Sequence, residues 1–80
     1  MEPLDASVGR VVTVNPTLRF VVVDFSLSRM PQPGDRLELS RAGTVIGELK
    51  TGYHARANTL IADILSGTPE VGDEARPVRP

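Results

Sequence analysis

Residues 32–50, QPGDRLELSRAGTVIGELK, decide how this chain is read. Gly34-Asp35 makes a turn, Arg36–Ser40 alternates apolar with polar, Ala42-Gly43 turns again, and Thr44–Thr51 alternates back. Alternation with a period of two marks strands that bury one face. A three-residue loop, Arg41-Ala42-Gly43 with Gly43 left-handed, sets Ser40 against Thr44, Leu39 against Val45, Leu37 against Gly47 and Arg36 against Glu48. Leu37, Leu39, Val45 and Leu49 then share the inner face. Arg36, Glu38, Ile46, Glu48 and Lys50 take the outer one. A two-residue loop would set Leu37 against Glu48, and a one-residue slip turns a strand's whole apolar set outward. Gly47 opposite Leu37 fits a bend at a barrel corner.

Outward from this hairpin the punctuation is regular. Asn15-Pro16, Pro31–Gly34, Ala42-Gly43 and Gly67–Gly72 separate short runs rich in Val, Ile, Leu and Phe. That spacing predicts strands near Gly9–Val14, Arg19–Phe25, Arg36–Ser40, Thr44–Thr51 and Thr59–Leu65, with a short sixth near Ala75–Val78. The fold class is all-β, a small, partly closed barrel of five or six strands, of SH3-like or OB-like size. Residues 8–78 form this single domain, and residues 1–7 are a flexible N-terminus. The stretch 58–66 also fits a short helical turn, with Asn58 as N-cap and Gly67 as stop. As a strand it points Leu60, Ala62 and Ile64 inward, the preferred reading. MPQPGDRLEL and TPEVGDEARPV share a Pro, a Gly-Asp pair and an alternating run. Gly34 and Gly72 allow a turn in which Asp35 and Asp73 accept from backbone amides. The match also admits a duplicated half-barrel.

At 80 residues, folding buries only about 60–65% of the unfolded chain's surface. Absence of cysteine rules out disulfides and thiolate metal sites, and the net charge of −1 argues against a purely electrostatic partner. No apolar run approaches the roughly 20 residues of a membrane span. The acidic N-terminus lacks the apolar core of a secretion signal, which implies a cytoplasmic protein, or an envelope one if a longer chain precedes it.

Catalytic chemistry finds little to work with. His54 is the only histidine, the serines lack a nucleophile elbow, and no phosphate loop is present. Asp24 and Asp63 interrupt apolar strands and are expected to face outward or to bond a nearby loop. We therefore expect no catalysis, metal or cofactor. RFVVVDF is apolar on both faces, so one of them meets a cover or a partner. Val21, Val23, Phe25 and Ile46 are the candidate partner-binding residues, with a protein partner or a second copy of the chain as occupant. The alternative is nucleic acid, bound by Tyr53 as stacking ring beside Lys50, His54 and Arg56, extended by Arg36 and Arg41.

The order of parts in GRVVTVNPTLRFVVVDF, PQPGDRLELSRAGTVIGEL and NTLIADILSGTPEVGDEARPV resembles the small β-barrel at the C-terminus of flagellar assembly protein T and related uncharacterised bacterial proteins. The matching positions are Gly9-Arg10-Val11, Gly34-Asp35, Arg41-Ala42-Gly43, Ile46-Gly47 and Gly72-Asp73. The resemblance spans most of residues 8–78. It implies an accessory or assembly module without catalysis. PGDRLELSRAGTVIGEL alone is also similar to the hairpin of AbrB-type regulators, which implies DNA binding.

Overall fold

The computed structural model describes residues 8–25, 31–56 and 58–78, and the side chains of all of these but 53–56. The expectation for residues 1–7 lies outside the described residues. Six strands form: β1 (Gly9–Asn15), β2 (Phe20–Asp24), β3 (Arg36–Arg41), β4 (Thr44–Arg56), β5 (Thr59–Ser66) and β6 (Glu74–Pro77). They close a ring in the order β1-β2-β5-β4-β3-β6, with every described ladder antiparallel. Thr59–Ser66 is strand, not helix, and Leu60, Ala62 and Ile64 point inward as the alternation predicts. No helix among the described residues is long and apolar enough to cross a membrane.

Alternate residues of each strand fill the interior. Val11, Val21, Val23, Phe25, Leu37, Leu39, Leu49, Leu60, Ala62, Ile64 and Ala75 make one core. Its width leaves no room for a side chain at Gly9. A Cβ there would stand 2.6 Å from Val23 and 2.7 Å from the Phe25 ring.

The β3–β4 hairpin corrects the expected register. Arg41 pairs with Thr44 and Ser40 with Val45, so the turn is the two residues Ala42-Gly43. Both have positive φ, +53° and +83°, the backbone of a tight hairpin turn matched to strand twist. A bulge at Ile46 then shifts the register, and Leu39 meets Gly47 while Leu37 meets Leu49. The bulge restores the inward set that a two-residue loop alone would have turned out. Val45, expected inside, is 55% exposed. Gly47 does sit where backbones crowd, since a Cβ on it would collide with the Ser66 carbonyl oxygen of β5.

The two Gly-Asp turns prove to be halves of a larger pattern. Asp35 accepts from the Gln32 amide (3.0 Å), and Asp73 accepts from the Glu70 amide (2.8 Å). Gly34 N–H donates to Thr51 O and Thr51 N–H to Asp35 O. In the second turn, Gly72 N–H donates to Val11 O and Val11 N–H to Asp73 O. Exchanging β1 with β4, β2 with β5 and β3 with β6 maps the ladders onto one another. Arg10↔Asp24 becomes Lys50↔Asp63, Val11↔Val23 becomes Thr51↔Ala62, and Gly9↔Ala75 becomes Leu49↔Leu37. Even the bulges after Val11 and after Thr51 correspond. The approximate twofold passes through the pairs Val22↔Ile61 and Glu38↔Arg76.

Candidate interaction surface

Strand β2 decides which apolar face is outside. Val21 and Val23 are fully buried and Phe25 is 1% exposed, so these three expected partner-binding residues belong to the core. Ile46, the fourth, is half-buried and packs against that core. The outer face of β2 instead carries Phe20 and Val22, both half-buried, with Asp24. The sequence held the signal. Asp24 has the same parity as Phe20 and Val22, and a carboxylate belongs at solvent.

Across the ladder, Phe20 pairs with Asp63, Val22 with Ile61 and Asp24 with Thr59. Phe20, Val22 and Ile61 thus form an apolar strip on the outside of the barrel. Its end is marked by Leu18 and Leu65, 69% and 42% exposed. The Ile64 N–H donates to Arg19 O (2.9 Å), which holds the β1–β2 turn against β5 there. Asn15 Oδ1 accepts from the Leu18 amide inside that turn.

The internal twofold supplies a comparison for this strip. It exchanges the row Phe20–Asp63 with Thr59–Asp24. Inward positions stay apolar in both halves: Val21 matches Leu60, Val23 matches Ala62 and Phe25 matches Ile64. The barrel accepts threonine at the outer position, so its architecture does not require the aromatic ring of Phe20.

The opposite side of the ring is charged. On β3 and β4, Arg36 lies across from Lys50 and Glu38 from Glu48, so like charges oppose. The diagonal Arg36–Glu48 pair (3.7 Å) relieves this, and Arg10–Glu74 (3.7 Å) and Arg76–Glu74 (3.1 Å) continue the pattern. Such exposed pairs contribute about 0–1 kcal/mol each and keep the face wet.

Of the proposed nucleic-acid residues, Arg36 and Lys50 are brought together. Arg41 lies at the other end of β3 and is engaged elsewhere. Its Nε donates to Asp73 Oδ1 and its Nη2 to Asp73 Oδ2, both at 2.8 Å. It also donates to Thr68 O (3.1 Å) and lies 3.8 Å from Glu70. These bonds hold the Asp73 carboxyl below the usual carboxylate range, against the opposing effect of burial and with help from the Glu70 amide. The same contact raises the pKa of Arg41. The pair braces the hairpin tip against the turn before β6. Tyr53, His54 and Arg56 lie in the C-terminal half of β4, where the backbone pairs with Leu60 and Thr59, and only their backbone is described. Among the described residues no His, Cys, Asp or Glu cluster of three or more could hold a metal ion. No protein-family model and no curated protein matches this chain.

Proposed function

We propose that the chain is a non-enzymatic interaction module that docks a protein on the outer face of β2 and β5. The observation that carries this is Phe20 standing outside where its twofold counterpart is Thr59. Covering a Phe side chain fully contributes about 1.5–3 kcal/mol, and Val22, Ile61, Leu65 and Leu18 extend the apolar area. The reading agrees with the accessory or assembly role that the flagellar-barrel resemblance implies. The test is Phe20→Thr in the full chain, with bound proteins from the source cells quantified beside the wild type. The variant should keep its fold and lose its partner. An unchanged set of bound proteins, or a barrel that no longer folds, would refute the proposal.

A second reading, nucleic-acid binding, draws on Arg36 standing directly across from Lys50, with Tyr53, His54 and Arg56 further along β4. Glu38 and Glu48 in the next pair oppose it. Affinity for short oligonucleotides that falls steeply with salt, and is lost in Lys50→Ala/Arg56→Ala, would support it.

A further inference from the structure

Strand β1 has one side that is only partly used. Away from β2, Gly9 and Arg10 pair with β6, and Val11 exchanges hydrogen bonds with the Gly72-Asp73 turn. From Val12 to Asn15 no described residue pairs with that side. The β1–β6 ladder stops there because β6 begins at Glu74, and a bulge between Val11 and Thr13 interrupts the ladder to β2 at the same point. This stretch is about 13 Å long at roughly 3.3 Å per residue.

Open strand edges template pairing with other chains, and proteins guard them with charge, proline, shortness or a bulge. The stretch Val12-Thr13-Val14-Asn15 carries no charged residue and no proline, so its guards are its length, the bulge after Val11 and Pro16 at its end. Val12 is 42% exposed, and Val71, next to the Gly72 that bonds Val11, is 67% exposed. The twofold-related stretch of β4 differs. Gly52–Arg56 carries His54 and Arg56, and Pro33 stands where Val71 does. By sequence the β4 stretch includes a permanent positive charge, Arg56, whereas the β1 stretch includes none. A free peptide on so short a ladder gains a few hydrogen bonds of about 0.5–1.5 kcal/mol net each, against the cost of ordering it. A second copy brings the same edge already extended. Antiparallel pairing about a twofold is then self-complementary.

We propose that two copies of the chain pair through β1, Val12–Asn15 against Val12–Asn15 antiparallel, joining two barrels into one continuous outer sheet. Val12 and Val71 of each copy are covered at the ends of the new ladder. This rests on the reading of the chain as an interaction module but uses a different surface from the Phe20 strip.

The test is sedimentation equilibrium of the full chain from micromolar to millimolar concentration, with amide exchange measured at both ends of that range. The expected result is a reversible dimer in which amides of Val12–Asn15 exchange more slowly as concentration rises. Val12→Lys should raise the dissociation constant about tenfold or more, with the monomer's thermal midpoint unchanged. Val71→Lys, in an exposed turn, should act the same way and stands in if the first variant fails to fold. A monomer throughout, or a dimer indifferent to both lysines, overturns the proposal. A dimer broken by Phe20→Thr and not by the lysines overturns it too, and leaves the docking face of β2 and β5 standing.

Discussion

Ala42 holds a φ of +53° with a side chain that gains nothing from it. A left-handed conformation costs an ordinary L-residue roughly 1–2 kcal/mol, and asparagine or glycine much less. Ala42→Asn, giving the Asn-Gly pair favoured in such turns, should therefore stabilise the protein by about 0.5–1 kcal/mol in chemical denaturation. Gly47 is the opposite case. A side chain there meets backbone of β5 that cannot rotate away, so Gly47→Ala should destabilise by about 1–3 kcal/mol. Asp73 couples stability to acid. Its folded pKa lies below its unfolded one, so its contribution is complete above the usual carboxylate range and is lost as pH falls through the depressed value. Asp73→Asn should cost about 1.5–3 kcal/mol at neutral pH. It should also flatten the acid limb of a stability-against-pH curve, where the wild type falls. Much at this scale was legible, because a Gly-Asp pair needs no distant partner to state its turn and its accepting carboxylate.

At the scale of the element, both strand parity and register depend on what lies across the ladder. The alternation in β3 named Leu37 and Leu39 correctly as inward. Val45 came out on the surface because the Ile46 bulge sits between the turn and the paired strand. A bulge leaves no mark in a pattern of period two other than one misplaced residue, and a three-residue loop explains that residue equally well. For β2, five apolar side chains between Phe20 and Phe25 hid the choice of face, and only Asp24 distinguished them. The distinction can be measured. Leu39→Ala, inside, should cost about 2–5 kcal/mol in thermal or urea unfolding. Phe20→Thr, outside, should cost about 1 kcal/mol or less.

The whole molecule is organised by its twofold. Three of its ladders, β2–β5, β3–β6 and β1–β6, join segments far apart in sequence, which predicts folding in milliseconds to seconds by stopped-flow fluorescence of Tyr53 or by circular dichroism. The symmetry was almost invisible in the chain. The halves agree chiefly at Pro31 and Pro69, Gly34-Asp35 and Gly72-Asp73, where a turn restricts the residue type. Elsewhere, backbone pairing and a shared core tolerate any apolar side chain of suitable volume, so Phe25 answers to Ile64 and Leu37 to Ala75. The outer surfaces have diverged further, giving one apolar side, one charged side and, along Val12–Asn15, an edge without a charged residue that has no partner among the described residues.

The pairing of Gly9 with Ala75 closes the ring, and it also brings the first strand's start beside the last strand's end. Under the twofold, a link from β6 to β1 would be the counterpart of the Ala42-Gly43 turn. The barrel therefore has two interchangeable places at which the chain can begin. A circular permutant opened between Ala42 and Gly43, with Val78 joined to Val8 through about four to six residues, would thread the ring in the same hairpin order as the parent. It should recover the same amide spectrum, shifted only near the new ends and the joint. The same closeness would let the barrel be carried as an insert in a surface loop of a larger host without parting the host's own strands.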